Sequence, residues 1–338
     1  MGGCATQVKA RLDSMLPDRI PQAFLWKGPE GVGKTAAAWM VSKALLCPHA
    51  EGGEPCHACS TCQRVDRLEH PNLLILPPVG GKVPLEEGVQ RLRAALVENP
   101  FLSLSEWEML LPDAKGNLSI GVDMARRLQE SLSLTNPDGS WRIVWFWHAE
   151  TLTRQAANAL LKLVEEPSER VLFIFLTHQA EMLPITLRSR CQVWYFPPLS
   201  KEKLEGLIGS KLSASQWSLS EGSYSRLRRL REASMEKYIQ ALQSWLRSLL
   251  EEGGDSAPAI EELLRAPQLS EILVMGAILI REHPRLTPAQ KAVGMDTLLR
   301  VAEEIEANIQ PALLLWEATL FLRAQWARPS FLWEWLLV

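Results

Sequence analysis

Two groups of residues have the types and spacing to do chemistry. Gly28-Pro29-Glu30-Gly31-Val32-Gly33-Lys34-Thr35 satisfies the pattern G-x4-G-K-S/T, in which glycines let the backbone curl until several N–H groups converge on one phosphate at a helix N-terminus. Gly28, Gly31 and Gly33 would shape that cradle, Lys34 would reach the β and γ phosphates of ATP, and Thr35 would reach its Mg²⁺. The second group is Cys47, Cys56, Cys59 and Cys62, spaced C-x8-C-x2-C-x2-C in a polar segment rich in Gly, Pro and His. Such a segment has no core of its own, so a Zn²⁺ ion closed by four thiolates would order it, and a site with four protein ligands is structural. His49 or His57 replacing one thiolate, an iron–sulfur cluster and free thiols are the alternatives, and the cluster would lack its usual downstream cysteine.

Hydrolysis at a phosphate loop also needs an acidic residue at a neighbouring strand end to hold Mg²⁺. The strand expected there, ending Ile143-Val144-Trp145-Phe146, runs into Trp147-His148, and Glu150 follows only later. An indole cannot ligate magnesium and an imidazole is a poor substitute for a carboxylate. The loop therefore reads as one that binds nucleotide without chemistry, or as an empty relic, before it reads as an independent ATPase.

The elements that position these groups follow from periodicity. Phe24 to Trp26, Leu73 to Leu76, Ile143 to Trp147 and Val171 to Leu176 are short, branched or aromatic runs that predict buried strands. Thr35 to Leu46, Asp123 to Leu134 with Asp123 as N-cap, and Arg154 to Glu166 before Pro167 have helical spacing. The pattern predicts an α/β domain with a mostly parallel sheet covered by helices. After Pro197-Pro198 strand-like runs vanish, so the remainder should be all helical, with a further break at Gly253-Gly254. The resulting division is residues 1–198, 199–252 and 253–338. The thirteen tryptophans are read as core and interface packing, and the tail Phe331 to Val338 as docking on a neighbouring helix.

Composition bounds the function. The chain has 338 residues, of which 47% are hydrophobic and 22% charged, which excludes disordered, collagenous and disulfide-scaffold classes. With 36 basic against 39 acidic side chains, the net charge of -3 argues against a dedicated electrostatic coat for nucleic acid or anionic lipid. The longest apolar run, Ile272 to Ile280, is half the ~20 residues that span a bilayer, and no basic, apolar leader opens the chain. A cytoplasmic protein is expected, in which clustered cysteines favour metal over disulfides.

Taken together the motifs resemble the delta-prime family of bacterial DNA polymerase III clamp-loader subunits, within the AAA+ superfamily. The resemblance rests on Gly28 to Thr35 with the four cysteines, on His70-Pro71-Asn72 leading to Ile120-Gly121-Val122-Asp123, on Ala156 to Pro167, and on Leu187-Arg188-Ser189-Arg190-Cys191. It spans roughly residues 17–200. It implies an AAA+-type P-loop domain with a zinc knuckle at about 47–62, a small helical lid at 199–252 and a C-terminal helical collar at 253–338. It further implies that Arg190 is an arginine finger, presented in trans to ATP on a neighbouring subunit. A planar, permanently charged fork suits γ-phosphate oxygens. Thr177 corresponds to the sensor 1 position and Arg226 lies near sensor 2; Arg226, Arg228, Arg229 and Arg231 are equally a solvated helix face.

The implied partners are gamma/tau-like ATPase and delta-like subunits in a hetero-oligomer, with the sliding clamp and primer–template DNA reached through the complex and no membrane. Two departures stand out: the adenine-contacting segment of motor subunits is missing before the loop, and Pro84 to Leu111 reads as an insertion. The rivals are an autonomous P-loop ATPase of DNA repair or recombination and a non-catalytic zinc and helix interaction module.

Overall fold

Apolar runs without alternation are what a parallel sheet covered on both faces demands. The computed structural model, which describes residues 20–80, 83–111, 118–133, 139–251 and 253–326, has five strands paired in parallel in the order β2-β3-β4-β1-β5. They are β1 (Ala23–Lys27), β2 (Leu73–Leu76), β3 (Arg142–Trp147), β4 (Val171–Thr177) and β5 (Gln192–Tyr195). The first four fall where the sequence puts them. The fifth was not expected, because only Trp194 of its residues is buried and it has no apolar run to betray it. Pairing with β1 holds it, and so does the stack of Trp194 on Trp26, with centroids 5.6 Å apart and planes 2° from parallel.

The pleat sends alternate residues to opposite faces. Leu25, Val144, Phe146, Phe173 and Phe175 share one core with the apolar sides of α5 (Val122–Ser133) and α6 (Arg154–Glu165). The other face meets α1 (Lys34–Leu46). There the buried Trp145 Nε1 donates to Ser42 Oγ at 3.0 Å, and Ser42 donates onward to the Ala38 carbonyl at 2.7 Å. Helix α5 begins one residue earlier than expected, so Asp123 stands in its first turn and is not its cap. Thr153 caps α6 by accepting the Ala156 N–H at 3.1 Å.

The cysteine segment leads into α2 (Ser60–Asp66), and the insertion at 84–111 is built, with α3 (Leu85–Glu98) and α4 (Leu104–Met109). Its anchor is Trp107, fully buried edge-on against Trp147 at 6.0 Å, with its indole N–H donating to the Pro78 carbonyl at 2.8 Å. A capping box starts α4: Ser103 Oγ accepts the Glu106 N–H, and the Glu106 carboxylate accepts the Ser103 N–H. After β4 the short α7 (Ile185–Arg188) leads to β5, and α8 (Lys201–Ile208) follows.

The chain divides into two compact units, one comprising residues up to Ser210 with Gly222–Ser225, the other Lys211–Glu221 with Arg226 onward. Beyond residue 198 the described residues form helices and no strand, as expected: α9 (Ala214–Ser220), α10 (Tyr224–Leu230), α11 (Ala233–Leu250), α12 (Ala257–Leu263), α13 (Leu269–Glu282), α14 (Pro288–Glu306) and α15 (Pro311–Trp326). The second unit packs around Trp245, Leu242, Ile272, Leu273, Leu298 and Leu315, and Trp245 Nε1 donates to Thr319 Oγ1 at 2.9 Å. Residues 331–338 lie outside the described residues. No described helix is long and apolar enough to cross a membrane.

Replacing Trp145 by Phe removes the buried donor to Ser42 and part of the α1 contact. Urea unfolding of Trp145→Phe should show a loss of about 1–3 kcal/mol, the cost of stranding a buried polar partner; an unchanged midpoint would remove this bond from the account of how α1 is held.

Candidate phosphate-loop and metal sites

The loop between β1 and α1 has the curl its glycines suggest. Gly28 has φ +149° and a side chain there would begin 2.1 Å from the Phe196 carbonyl oxygen; Gly31 has φ +71° and would begin 2.2 Å from Ser225 Oγ. No other residue fits either place without backbone movement. Gly33 precedes α1, and Lys34 and Thr35 are buried in its first turn. Lys34 Nζ is turned onto the loop itself, donating to the carbonyls of Gly28 at 2.7 Å and Pro29 at 2.6 Å. Burial lowers its amine to about 8 against the opposing pull of Glu150 and Glu30. Thr177, at the end of β4, is buried beside the loop and its hydroxyl accepts the Gln179 N–H at 3.1 Å.

The insertion covers this loop. Phe101 lies 3.4 Å from where a Gly33 side chain would begin, with Tyr224 packed on it at a centroid distance of 4.5 Å. Glu30, from the loop, accepts the Leu104 N–H at 2.8 Å and so fastens the start of α4. The remaining cavity, lined by Glu30, Lys34, Thr35, Phe101, His148 and Thr177 among others, is about 30 Å³. Phe101 over Gly33 and the inturned Lys34 amine together narrow the space at the loop.

One expectation needs an addition. No carboxylate was expected at the end of β3 and none stands there, but Glu150, three residues on, is folded back toward the loop. His148 adopts a left-handed conformation, φ 54° and ψ 60°, and one tight turn over Ala149–Thr151 reverses the chain. Glu150 Oε1 lies 2.7 Å from His148 Nδ1 and 2.6 Å from His178 Nδ1, with its side chain only 6% exposed. Burial works to raise this carboxyl, but hydrogen bonds and charge from the two histidines hold it well below the usual carboxylate range. His178 was missed by the sequence reading. Its signal was that both histidines directly follow a strand end, His148 after β3 and Thr177-His178 at the close of β4.

The four cysteines come together at the junction of two helices. Cys47 ends α1 and Cys59 caps α2, accepting the Cys62 N–H at 3.4 Å. The sulfurs stand 3.6 Å (Cys47 to Cys56), 3.9 Å (Cys47 to Cys59) and 3.9 Å (Cys56 to Cys62) apart. Thiolates on a tetrahedral ion with 2.3 Å bonds are about 3.8 Å apart, and disulfide sulfurs about 2.05 Å. The set can hold a metal ion of zinc's size. Amide donors to Sγ lower the Cys56 thiol to about 6, whereas burial pushes Cys62 up to about 12; a dication is what would make all four thiolate together. Lys43 pairs with Asp66 at 2.7 Å and Trp39 Nε1 donates to the Val65 carbonyl at 2.8 Å, which fixes α2 to α1.

Arg190 stands apart from both sites, exposed in the turn after α7. Its Nε donates to Glu165 Oε1 at 2.5 Å and its Nη1 to the Thr186 carbonyl at 2.7 Å. Arg226 belongs to the second unit, where it is paired with Glu221.

The family model described as DNA polymerase III, delta subunit matches residues 5–200, more than half of the chain. The chain belongs to the DNA polymerase III delta-prime family. Among its relatives, the delta-prime subunit of Bacillus subtilis is 30% identical over 59% of this chain and 49% of its own length, and that of Yersinia pestis 33% identical over 51% of this chain and 41% of its own. The chain thus spans about half the length of these curated relatives. A solved gamma subunit-related protein of Thermotoga maritima aligns over 95% of this chain and 98% of that one at 17% identity and TM-score 0.42. The α/β class expected from the sequence agrees with the parallel sheet and the loop between β1 and α1, and the four cysteines come together as expected.

Two measurements follow. The chain with Phe101→Ala should bind a fluorescent ATP analogue about tenfold or more tighter than the parent, a conservative share of the several kcal/mol a phosphate cradle can offer; equal affinities would mean the aromatic ring does not close the loop. Elemental analysis should find one tightly held zinc that Cys59→Ser loses, and a strong chelator should lower the melting temperature of the parent.

Proposed function

We propose that this chain is the delta-prime-type stator of a clamp loader: it hydrolyses no ATP itself, and it lends Arg190 to the ATP site of a gamma/tau-like neighbour. In that assembly, with a delta-like subunit completing the ring, it helps open a sliding clamp and place it on primer–template DNA. Residues 199–252 serve as the lid and 253–338 as the collar through which the subunits associate. The four cysteines carry structural Zn²⁺, and the protein works in the cytoplasm.

The observation that carries this reading is the contrast between the two ends of the first unit. The chain's own phosphate loop is covered by Phe101, while Arg190 stands at the surface, a few residues along the chain from exposed Met182 and Ile185. Exposed apolar side chains around an arginine suit a protein interface. Glu165, at the end of α6, orients the guanidinium. Thr177 and Arg226 are the sensor-position residues of this reading, and Lys34 contributes to the loop's closed form.

In a loader reconstituted from purified subunits, Arg190→Ala should cut DNA-stimulated ATP hydrolysis by at least about tenfold with assembly unchanged on gel filtration, and Arg190→Lys should recover little, because an ammonium lacks the two-pronged fork. Full hydrolysis by the Arg190→Ala loader would sink the finger assignment. Failure of the parent chain to assemble with the ATPase subunits would sink the stator reading, and magnesium-dependent turnover by the pure chain would favour an autonomous ATPase.

A further inference from the structure

Parallel pairing sets Trp147 of β3 beside Leu176 of β4, so the residues that follow, His148 and Thr177-His178, leave the sheet side by side. Their imidazoles come to 5.4 Å between centroids, inclined at 74°. Glu150 Oε1 is hydrogen-bonded to His148 Nδ1 at 2.7 Å and lies 2.6 Å from His178 Nδ1 as a charge contact without hydrogen-bond geometry, which leaves Nε2 of each ring turned from it. Glu30, reaching across from the phosphate loop, has Oε1 3.8 Å from His148 Nε2. One ligand atom from each of Glu30, His148 and His178 lies within 4.8 Å of the others.

We propose that Glu30, His148 and His178 form a second metal site, for a divalent transition ion such as Zn²⁺ or Co²⁺, with Glu150 as the outer carboxylate that orients both imidazoles. Ligands on a tetrahedral Zn²⁺ with bonds near 2.1 Å stand about 3.4 Å apart, so the 3.8 Å pair needs to close by a few tenths of an ångström and the others, within 4.8 Å, by no more than about 1.4 Å. Two imidazole nitrogens and one carboxylate are a donor set for transition ions, and magnesium, which demands oxygen, is disfavoured. A carboxylate behind each ligating histidine fixes the tautomer and raises ligand basicity; here one carboxylate serves two rings. The cavity beside them, about 30 Å³, has room for the ion and one water.

A second observation points the same way. Glu150 is 6% exposed and its Oε2 has no hydrogen-bond partner. Lys34 and the two histidines place positive charge near this carboxylate, yet its second oxygen still has no donor, and an ion on the far side of the imidazoles would add charge through the rings. The site is independent of the clamp-loader reading and separate from the four cysteines.

The test uses the full chain, stripped of metal and titrated with Co²⁺ while absorbance is recorded. The first equivalent should give the sulfur-to-cobalt charge-transfer band of the four-cysteine site. A second equivalent should bind with ligand-field absorbance and no charge transfer. His148→Gln and His178→Gln should each lose the second equivalent and keep the first, whose band certifies that the first unit is folded. Glu150→Gln should weaken the second site about 10–100-fold. Should a histidine variant also lose the first band, Glu30→Gln, which keeps an acceptor for the Leu104 N–H, takes its place and should likewise weaken the second site. A parent chain that stops at one equivalent, or a second equivalent that survives all these substitutions, overturns the proposal.

Discussion

Parallel pairing of β1, β3 and β4 is the constraint from which the rest follows, because it delivers the C-terminal ends of all three strands to one edge of the sheet. Chain leaving that edge has only a few residues in which to turn, and each exit does something different. Exit from β1 becomes the glycine loop. At β3 a left-handed histidine reverses the backbone, and at β4 Thr177 and His178 emerge in between. The faces of β1, β3 and β4 are covered, so polar groups of this density gather at their strand ends, where ligands of open α/β sheets are usually met.

The insertion turns that edge inward. Trp107 is driven into the core against Trp147, and once it is there the preceding residues have no path except over Gly33. Glu30 then has two duties, holding the α4 amide and facing His148. Lys34 spends its charge on the loop's own carbonyls. The result is a phosphate loop whose lysine is engaged by the loop itself.

Much of this was legible in the sequence, for physical reasons that also explain what was not. Strands β1 to β4 are uninterrupted apolar runs because both their faces are covered; β5 is an edge strand with three exposed residues and carries no such mark. The C-x8-C-x2-C-x2-C spacing is legible because four thiols in one short polar segment mark a set that can hold a metal, whatever path the intervening loop takes. Glu150 and His178 escaped because their meeting depends on strand register and on a positive φ at His148, neither of which local composition encodes. Asp123 misled by one residue: an acidic group just inside a helix start suits the macrodipole nearly as well as one that caps it. Phe101 belonged to a segment recognised only as extra.

Helix α1 runs from Lys34 to Leu46 without a break, thirteen residues that rise about 20 Å at 1.5 Å each, with Cys47 directly after. One end is clasped by the glycine loop, the other by sulfur. The two sites are too far apart to share electrons or a ligand, but they are ends of one stiff strut pinned along its side by Trp145. The cysteine group and the phosphate loop are therefore the two ends of one helix, so where the cysteines stop that helix also sets how far it reaches from the loop.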